Sequence, residues 1–166
     1  MNLHSVLVSV QNLWLSAVVR GDIPGTEWVF PIVETCHVLT LTLVFGSIVM
    51  VDLRLLGWTS RATSIARLTE ETLPWTWTAW VLAAATGSML FISKAVTYAG
   101  NFEFRMKFVC MALAAVNMLV FHFGAYRRVA EWDLARPPAA ARFAGGLSMA
   151  FWIAVIFFGR WVGFTT

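Results

Sequence analysis

Four stretches of the chain stay apolar over lengths that few soluble helices reach, and most of the polar positions gather between them. The stretches run over about 28–56, 74–98, 104–126 and 143–164. Each meets the ~20 residues needed to cross ~30 Å of hydrocarbon. The first carries no charge over 35–51, where only His37 interrupts the apolar run. Pro74 suits the first turn of the second helix. The segment 59–73 is polar and predicts a short surface helix, with Thr69, Glu70 and Glu71 near its end. The segment 127–142 forms the other polar loop, and Pro137 and Pro138 part the third span from the fourth.

Ahead of the first span the pattern changes. Leu3, Val6, Leu7, Val10, Leu13, Trp14, Ala17 and Val18 recur at helical spacing, while Ser5, Ser9, Gln11, Asn12 and Ser16 take other faces. That alternation predicts a short amphipathic helix lying on the membrane surface. Gly21, Asp22, Ile23, Pro24 and Gly25 then break it. The first twenty residues do not read as a cleavable signal, because no positive charge opens them and no small-x-small site follows. The expected fold is therefore all-α: a transmembrane four-helix bundle with an N-terminal amphipathic interfacial helix, in one integral membrane domain over 1–166.

Composition agrees with the pattern. Of 166 residues, 59% are hydrophobic and 13% charged, and the mean hydropathy is +0.73. A soluble domain of this size cannot hide that much apolar surface. The nine tryptophans suit the lipid–water boundary. The net charge of +3 reflects orientation in the membrane more than an anionic partner. No basic run interleaved with aromatics marks a nucleic-acid surface, so the expected environment is a lipid bilayer.

Charge also predicts topology. Arg54, Arg61, Arg67, Arg127, Arg128, Arg136 and Arg142 fall on one side, and Arg20, Lys94, Arg105, Lys107 and Arg160 on the other. The richer side faces the cytoplasm. That places the loops after the first and third spans in the cytoplasm and makes the chain multi-pass with both termini outside. Cys36 and Cys110 fall inside apolar segments without a CxxC, which reads as two buried free thiols. No hydrolase or transferase motif is present.

Ionisable groups inside a span are costly and ask for a reason. Glu34, His37 and His122 stand out, with Lys107 near one end of the third span. Glu34 and His37 are three residues apart and share a helix face that continues through Leu41, Val44 and Ile48. Lys107, Met111, Ala115, Met118 and His122 fall within about 60° of one line, and small Ala115 leaves room for something flat. Both faces are expected to look into the bundle.

Imidazole in an apolar bundle is a usual way to hold haem iron. His37 and His122 are the candidate metal ligands, and haem b is the expected cofactor. Lys107 and Arg105 on the outer side, or Arg127 and Arg128 on the inner, would meet its propionates. Glu34 would orient the His37 ring. The two histidines differ in depth by ~15 Å at ~1.5 Å per residue. Either two haems are stacked or one histidine alone is a ligand. With two haems, Met149 would face His122, and Met89, Lys94, Lys107 or His4 would complete the site near His37. Electrons would pass to a quinone or a partner protein. Copper is the alternative cofactor, since it accepts His and Met, although no Met-x-x-Met or His-x-His occurs. A cofactor-free accessory subunit is the third reading. The small residues from Gly145 and Gly146 to Ala150 suit close helix packing, within one chain or in a homo-oligomer.

Several of these residues also carry a resemblance. Glu34-Thr-Cys-His37, Phe45-Gly46-Ser47, Asp52-Leu53-Arg54, and Phe104-x-x-Lys107 followed by His122 resemble a family of short bacterial four-helix membrane proteins of unknown function. More distantly, the pattern is similar to HemJ-type protoporphyrinogen oxidases and CopD-type copper proteins. The first of these implies a helix histidine on haem b and an important lysine, which match His37 and Lys107. The aromatic-rich segment that follows the histidine in that group is absent here, so the resemblance implies the cofactor rather than the oxidase activity. Asp52 and Arg54 are expected to anchor the end of the first span.

Overall fold

The structure, a computed structural model, describes residues 2–59 and 64–166. Met1 and Arg61, the latter used above for orientation, lie outside them. Among the described residues the regular elements are all helical. They are α1 (Leu3–Gln11), α2 (Trp14–Arg20), α3 (Val29–Leu56), α4 (Ile65–Ser93), α5 (Ala95–Gly100), α6 (Phe102–Phe123), a 3-10 turn (Ala125–Arg128), α7 (Val129–Trp132) and α8 (Ala139–Thr165).

Helices α3, α4, α6 and α8 belong to the four segments long and apolar enough to cross a membrane. In the most apolar part of those segments only 11–22% of residues are buried. Leu39, Leu43, Val81, Val116, Val120 and Ile153 are all exposed. Water would penalise such a surface and lipid does not, so the chain is a multi-pass membrane protein. Trp28 and Trp58 stand exposed at either end of α3. They bracket about 42 Å of helix at 1.5 Å per residue, close to the full bilayer with its headgroups.

Three boundaries differ from the sequence reading, each because of a distant partner. Pro74 lies inside α4 and not in its first turn. The helix begins nine residues earlier, at Ile65, so the polar segment before Pro74 belongs largely to the span helix. Ser64 caps it by accepting from Arg67 N at 3.2 Å. Asp133, from beyond α7, accepts from Ile65 N at 2.5 Å and Ala66 N at 3.3 Å. With its first N–H groups satisfied, the helix tolerates the one backbone bond that Pro74 removes.

Helix α4 also stops at Ser93, short of residue 98. Ser16 donates to the Ile92 carbonyl at 2.8 Å, and Arg20 donates to the Ser93 carbonyl at 3.1 Å. These donors from α2 take over the carbonyls at the end of α4, and the chain restarts as α5. Finally, the N-terminal segment is two helices and not one. Arg20 explains the fold between them, since it reaches both the Gln11 carbonyl at 2.9 Å and the Ser16 hydroxyl at 2.6 Å.

Of the long helices, α3 packs along α4 and α8, and α8 packs along α6. Helices α4 and α6 do not pack along their length. Aromatic rings bridge them at one end, where Phe104 stacks on Phe91 and on Tyr98, with centroids 5.5 Å away in each case. Helices α3 and α8 approach closely at Gly145. A Cβ there would lie 3.0 Å from Leu55 Cβ and 3.2 Å from the Asp52 carbonyl oxygen. Helix α3 ends at Gly57, whose φ of 78° lets its N–H return to Arg54 and the next N–H to Leu53.

Candidate functional site

Two polar centres lie along α3. The first is level with His37. Its ring is half-buried, and Nδ1 lies 3.0 Å from Thr86 Oγ1 on α4. Thr86 has one hydroxyl proton, which it directs to the Leu82 carbonyl at 2.7 Å and also toward Ala83 at 3.2 Å. Toward His37 the hydroxyl therefore accepts, which assigns the ring proton to Nδ1. That tautomer leaves a lone pair on Nε2, the atom needed to bind a metal or a proton. The ring lies against Gly87, where any Cβ would fall 2.9 Å from its Cε1 atom. Only glycine permits that approach without moving the ring.

Lys107 of α6 is within electrostatic range of this ring. Its side chain lies along α8, with Cδ, Cε and Nζ each 3.6 Å from where a Gly159 Cβ would stand. Among the described residues, the side-chain ion pairs are Arg20–Asp22 and Arg67–Glu71, so no carboxylate balances Lys107. One level of the protein thus brings together His37 from α3, Thr86 and Gly87 from α4, Lys107 from α6 and Gly159 from α8. Thr86, Gly87 and Gly159 were not candidates from sequence. A threonine that bonds within its own helix and a glycine in a span carry no signal until the partner helix is placed.

The remaining sequence candidates lie elsewhere. His122 is exposed in the last turn of α6, stacked on Tyr126 at 5.2 Å and set edge-on to Phe123 at 5.7 Å. It is fifteen residues beyond Lys107, or about 22 Å along the helix. Ala115 and Met118 of the same predicted face are also exposed. Helix α6 instead turns Cys110, Ala114 and Asn117 inward, since Asn117 donates to the Ala144 carbonyl of α8 at 2.9 Å. That bond and the Lys107–Gly159 contact set the register of α8, which puts Met149 opposite the middle of α6 and short of His122. On α3 the predicted face does point inward, with Val44 buried and Leu41 and Ile48 half-buried.

Glu34 is exposed and within electrostatic range of Tyr98, while the His37 nitrogen it was expected to orient is held by Thr86. Arg105 is exposed and donates to the Gly100 carbonyl at 3.2 Å. His4 and Lys94 are exposed, and Met89 is half-buried on α4. Cys36 is exposed, against the expectation of a buried thiol, because it stands on the outer side of α3; Cys110 is buried. No group of three or more His, Cys, Asp or Glu side chains gathers among the described residues.

The second centre lies at the other end of α3. Arg54 is 1% exposed and donates to the Asp133 carbonyl at 2.7 Å. The Asp133 carboxylate accepts from the Ser64 hydroxyl at 2.5 Å in addition to its two bonds to α4. Leu55, Ile65, Trp132 and Ala141 pack beside this network as a buried apolar cluster. This arrangement holds α3, α4 and the α7–α8 connection together.

No protein-family model matches this chain, and neither a curated protein nor a solved structure matches it.

Proposed function

We propose that this chain is a haem b-binding protein of the bacterial inner membrane that carries electrons, with His37 as an axial ligand. The observation that carries this reading is the His37 tautomer. Thr86 accepts the hydrogen bond from Nδ1–H and leaves Nε2 available among apolar helices. The surrounding residues suit a flat acidic cofactor. Gly87 offers no side chain beside the ring, the α4–α6 side is not closed by helix packing, and Lys107 lacks a carboxylate partner among the described residues. Lys107 would meet a propionate, while Thr86 fixes the ring orientation and raises its basicity as a ligand. When bound, haem supplies one-electron redox chemistry at a potential set by ligand identity and burial. The distant similarity to HemJ-type proteins, whose haem-binding histidine and important lysine match His37 and Lys107, points the same way.

In this reading one haem sits at the His37 level and His122 is not its second ligand. Both termini face outward, α1 and α2 lie on the outer membrane surface, and electrons pass to a quinone or a partner protein. The test is the visible spectrum of protein purified from membranes. A Soret band and the reduced α-band of b-type haem are expected, and both should disappear in His37→Ala. Bands that survive unchanged in His37→Ala remove that histidine as ligand. Colourless protein with bound copper turns the assignment to a copper-handling protein, and colourless, metal-free protein to an accessory subunit.

A further inference from the structure

Asp52 is the one acidic side chain among the described residues that is almost wholly buried, at 4% exposure. Its Oδ2 atom is shut off from solvent and has no hydrogen-bond partner. The Ser148 hydroxyl of α8 is the polar group that faces the carboxyl. Beside it, α3 and α8 approach closely, and a Cβ at Gly145 would lie 3.2 Å from the Asp52 carbonyl oxygen.

The charged groups nearby are directed elsewhere. On α3, Arg54 donates to the Asp133 carbonyl. On α4, Arg67, Glu70 and Glu71 are exposed, and Arg67 pairs with Glu71 at 2.7 Å. On α8, Arg142 is exposed. At the end of α6, Arg127 and Arg128 are exposed. The Asp133 carboxylate is fully engaged with Ser64 and the start of α4. Asp52 has no ion-pair partner among the described residues. A buried carboxylate with one hydroxyl beside it and no cation is unfavourable, whereas the neutral acid needs few partners.

We propose that Asp52 is a proton-binding site in the α3–α8 contact. Ser148 is the group through which the proton enters and leaves. Release breaks the carboxyl O–H bond, leaves both electrons on the carboxylate and passes the proton by way of the Ser148 hydroxyl to water. No oxidant or reductant is involved. The proposal does not depend on a cofactor at His37, because no group of that level touches Asp52.

Infrared spectroscopy of the protein in lipid, with isotope-labelled aspartate side chains, tests this directly. The chain has three aspartates, Asp22, Asp52 and Asp133. Asp22 pairs with Arg20 at 2.7 Å, and Asp133 accepts three hydrogen bonds, so Asp52 is the one left with an unpartnered oxygen. An ordinary aspartate is protonated to about one part in a thousand at that pH. A labelled acid carbonyl band at pH 7 far above that value is the expected result. It should be absent from Asp52→Asn, and Ser148→Ala should slow its hydrogen–deuterium exchange without removing it. Labelled aspartate that shows only carboxylate bands at pH 7 overturns the proposal. So does an acid band that persists in Asp52→Asn. Should Asp52→Asn not fold, the wild-type spectrum alone decides.

Discussion

Arg54 and His37 stand on the same helix, about five turns apart, yet their surroundings differ in kind. Arg54 is almost fully buried, bonded to the Asp133 backbone, and flanked by the packed Leu55–Ile65–Trp132–Ala141 cluster. His37 is half-buried, with one nitrogen held by Thr86, the other available, and the charge of Lys107 nearby. Buried polar groups that are satisfied within the chain serve the fold. Polar groups kept in hydrocarbon with unused capacity have no folding role to justify their cost. On the reading proposed above, the cofactor belongs at the His37 level while the Arg54 network ties the helix ends together, so substitutions at the two should fail in different ways.

The largest expected effect is Arg54→Ala. It removes a buried side chain and a charge-assisted bond to the Asp133 carbonyl, and it loosens the connection that caps α4. A loss of about 3 kcal/mol is expected, read as a lower unfolding temperature in lipid or detergent. The haem spectrum of whatever protein remains folded should be unchanged. A spectrum that changes while stability holds would reverse the two roles.

The glycines offer a matched pair. Gly145→Ala places a methyl 3.0 Å from Leu55 Cβ and 3.2 Å from the Asp52 carbonyl, so two helices must separate. About 2 kcal/mol of destabilisation should follow. Gly87→Ala places the same methyl 2.9 Å from His37 Cε1. There a ring can rotate away, so stability should fall by less than about 1 kcal/mol. The rotation would take Nδ1 off Thr86, and the haem bands should weaken or shift. Unfolding midpoints and spectra of both variants, measured together, separate fold from site in one experiment.

These expectations show what the sequence could and could not reveal. Length and hydropathy make the four spans legible, since lipid imposes them segment by segment. The inward face of α3 is legible too, because His37, Leu41, Val44 and Ile48 repeat at helical spacing. The inward face of α6 was not. One amide, Asn117, turns that helix to reach the Ala144 carbonyl and leaves Ala115, Met118 and His122 outside. The start of α4 was hidden for a similar reason. Its cap comes from Asp133, far along the chain, whereas Pro74 offered a plausible local start. His37 and Lys107 could be picked out as ionisable groups in hydrocarbon. Thr86, Gly87 and Gly159 could not, because their roles exist only across helix contacts.

Thr86→Val gives a smaller and more selective perturbation. It keeps the shape and removes the acceptor for the His37 Nδ1 proton. The bonds to Leu82 and Ala83 that it also loses lie within α4, so stability should change little. Cofactor retention should fall by about tenfold, in the range found for groups that orient a metal-binding imidazole. A titration of haem into stripped protein measures it. Retention equal to wild type would mean that the ring orientation is set by Gly87 packing alone.

The smallest effect is expected at His122, and it is the most useful control. Sequence alone ranks His122 beside His37, for both are imidazoles in apolar spans. The structure separates them. His122 is exposed and stacked on Tyr126 one turn onward, a contact made within its own segment. Such a stack contributes about 0.5–1.5 kcal/mol when buried, and less at an exposed position. His122→Ala should therefore shift stability by about 0.5 kcal/mol or less and leave both the spectrum and the reduction potential where they were. If the potential moves or half of the haem is lost, a second cofactor lies at the α6 end. The contrast between the two levels of α3 would then have to give way to a pair of redox sites spanning the membrane.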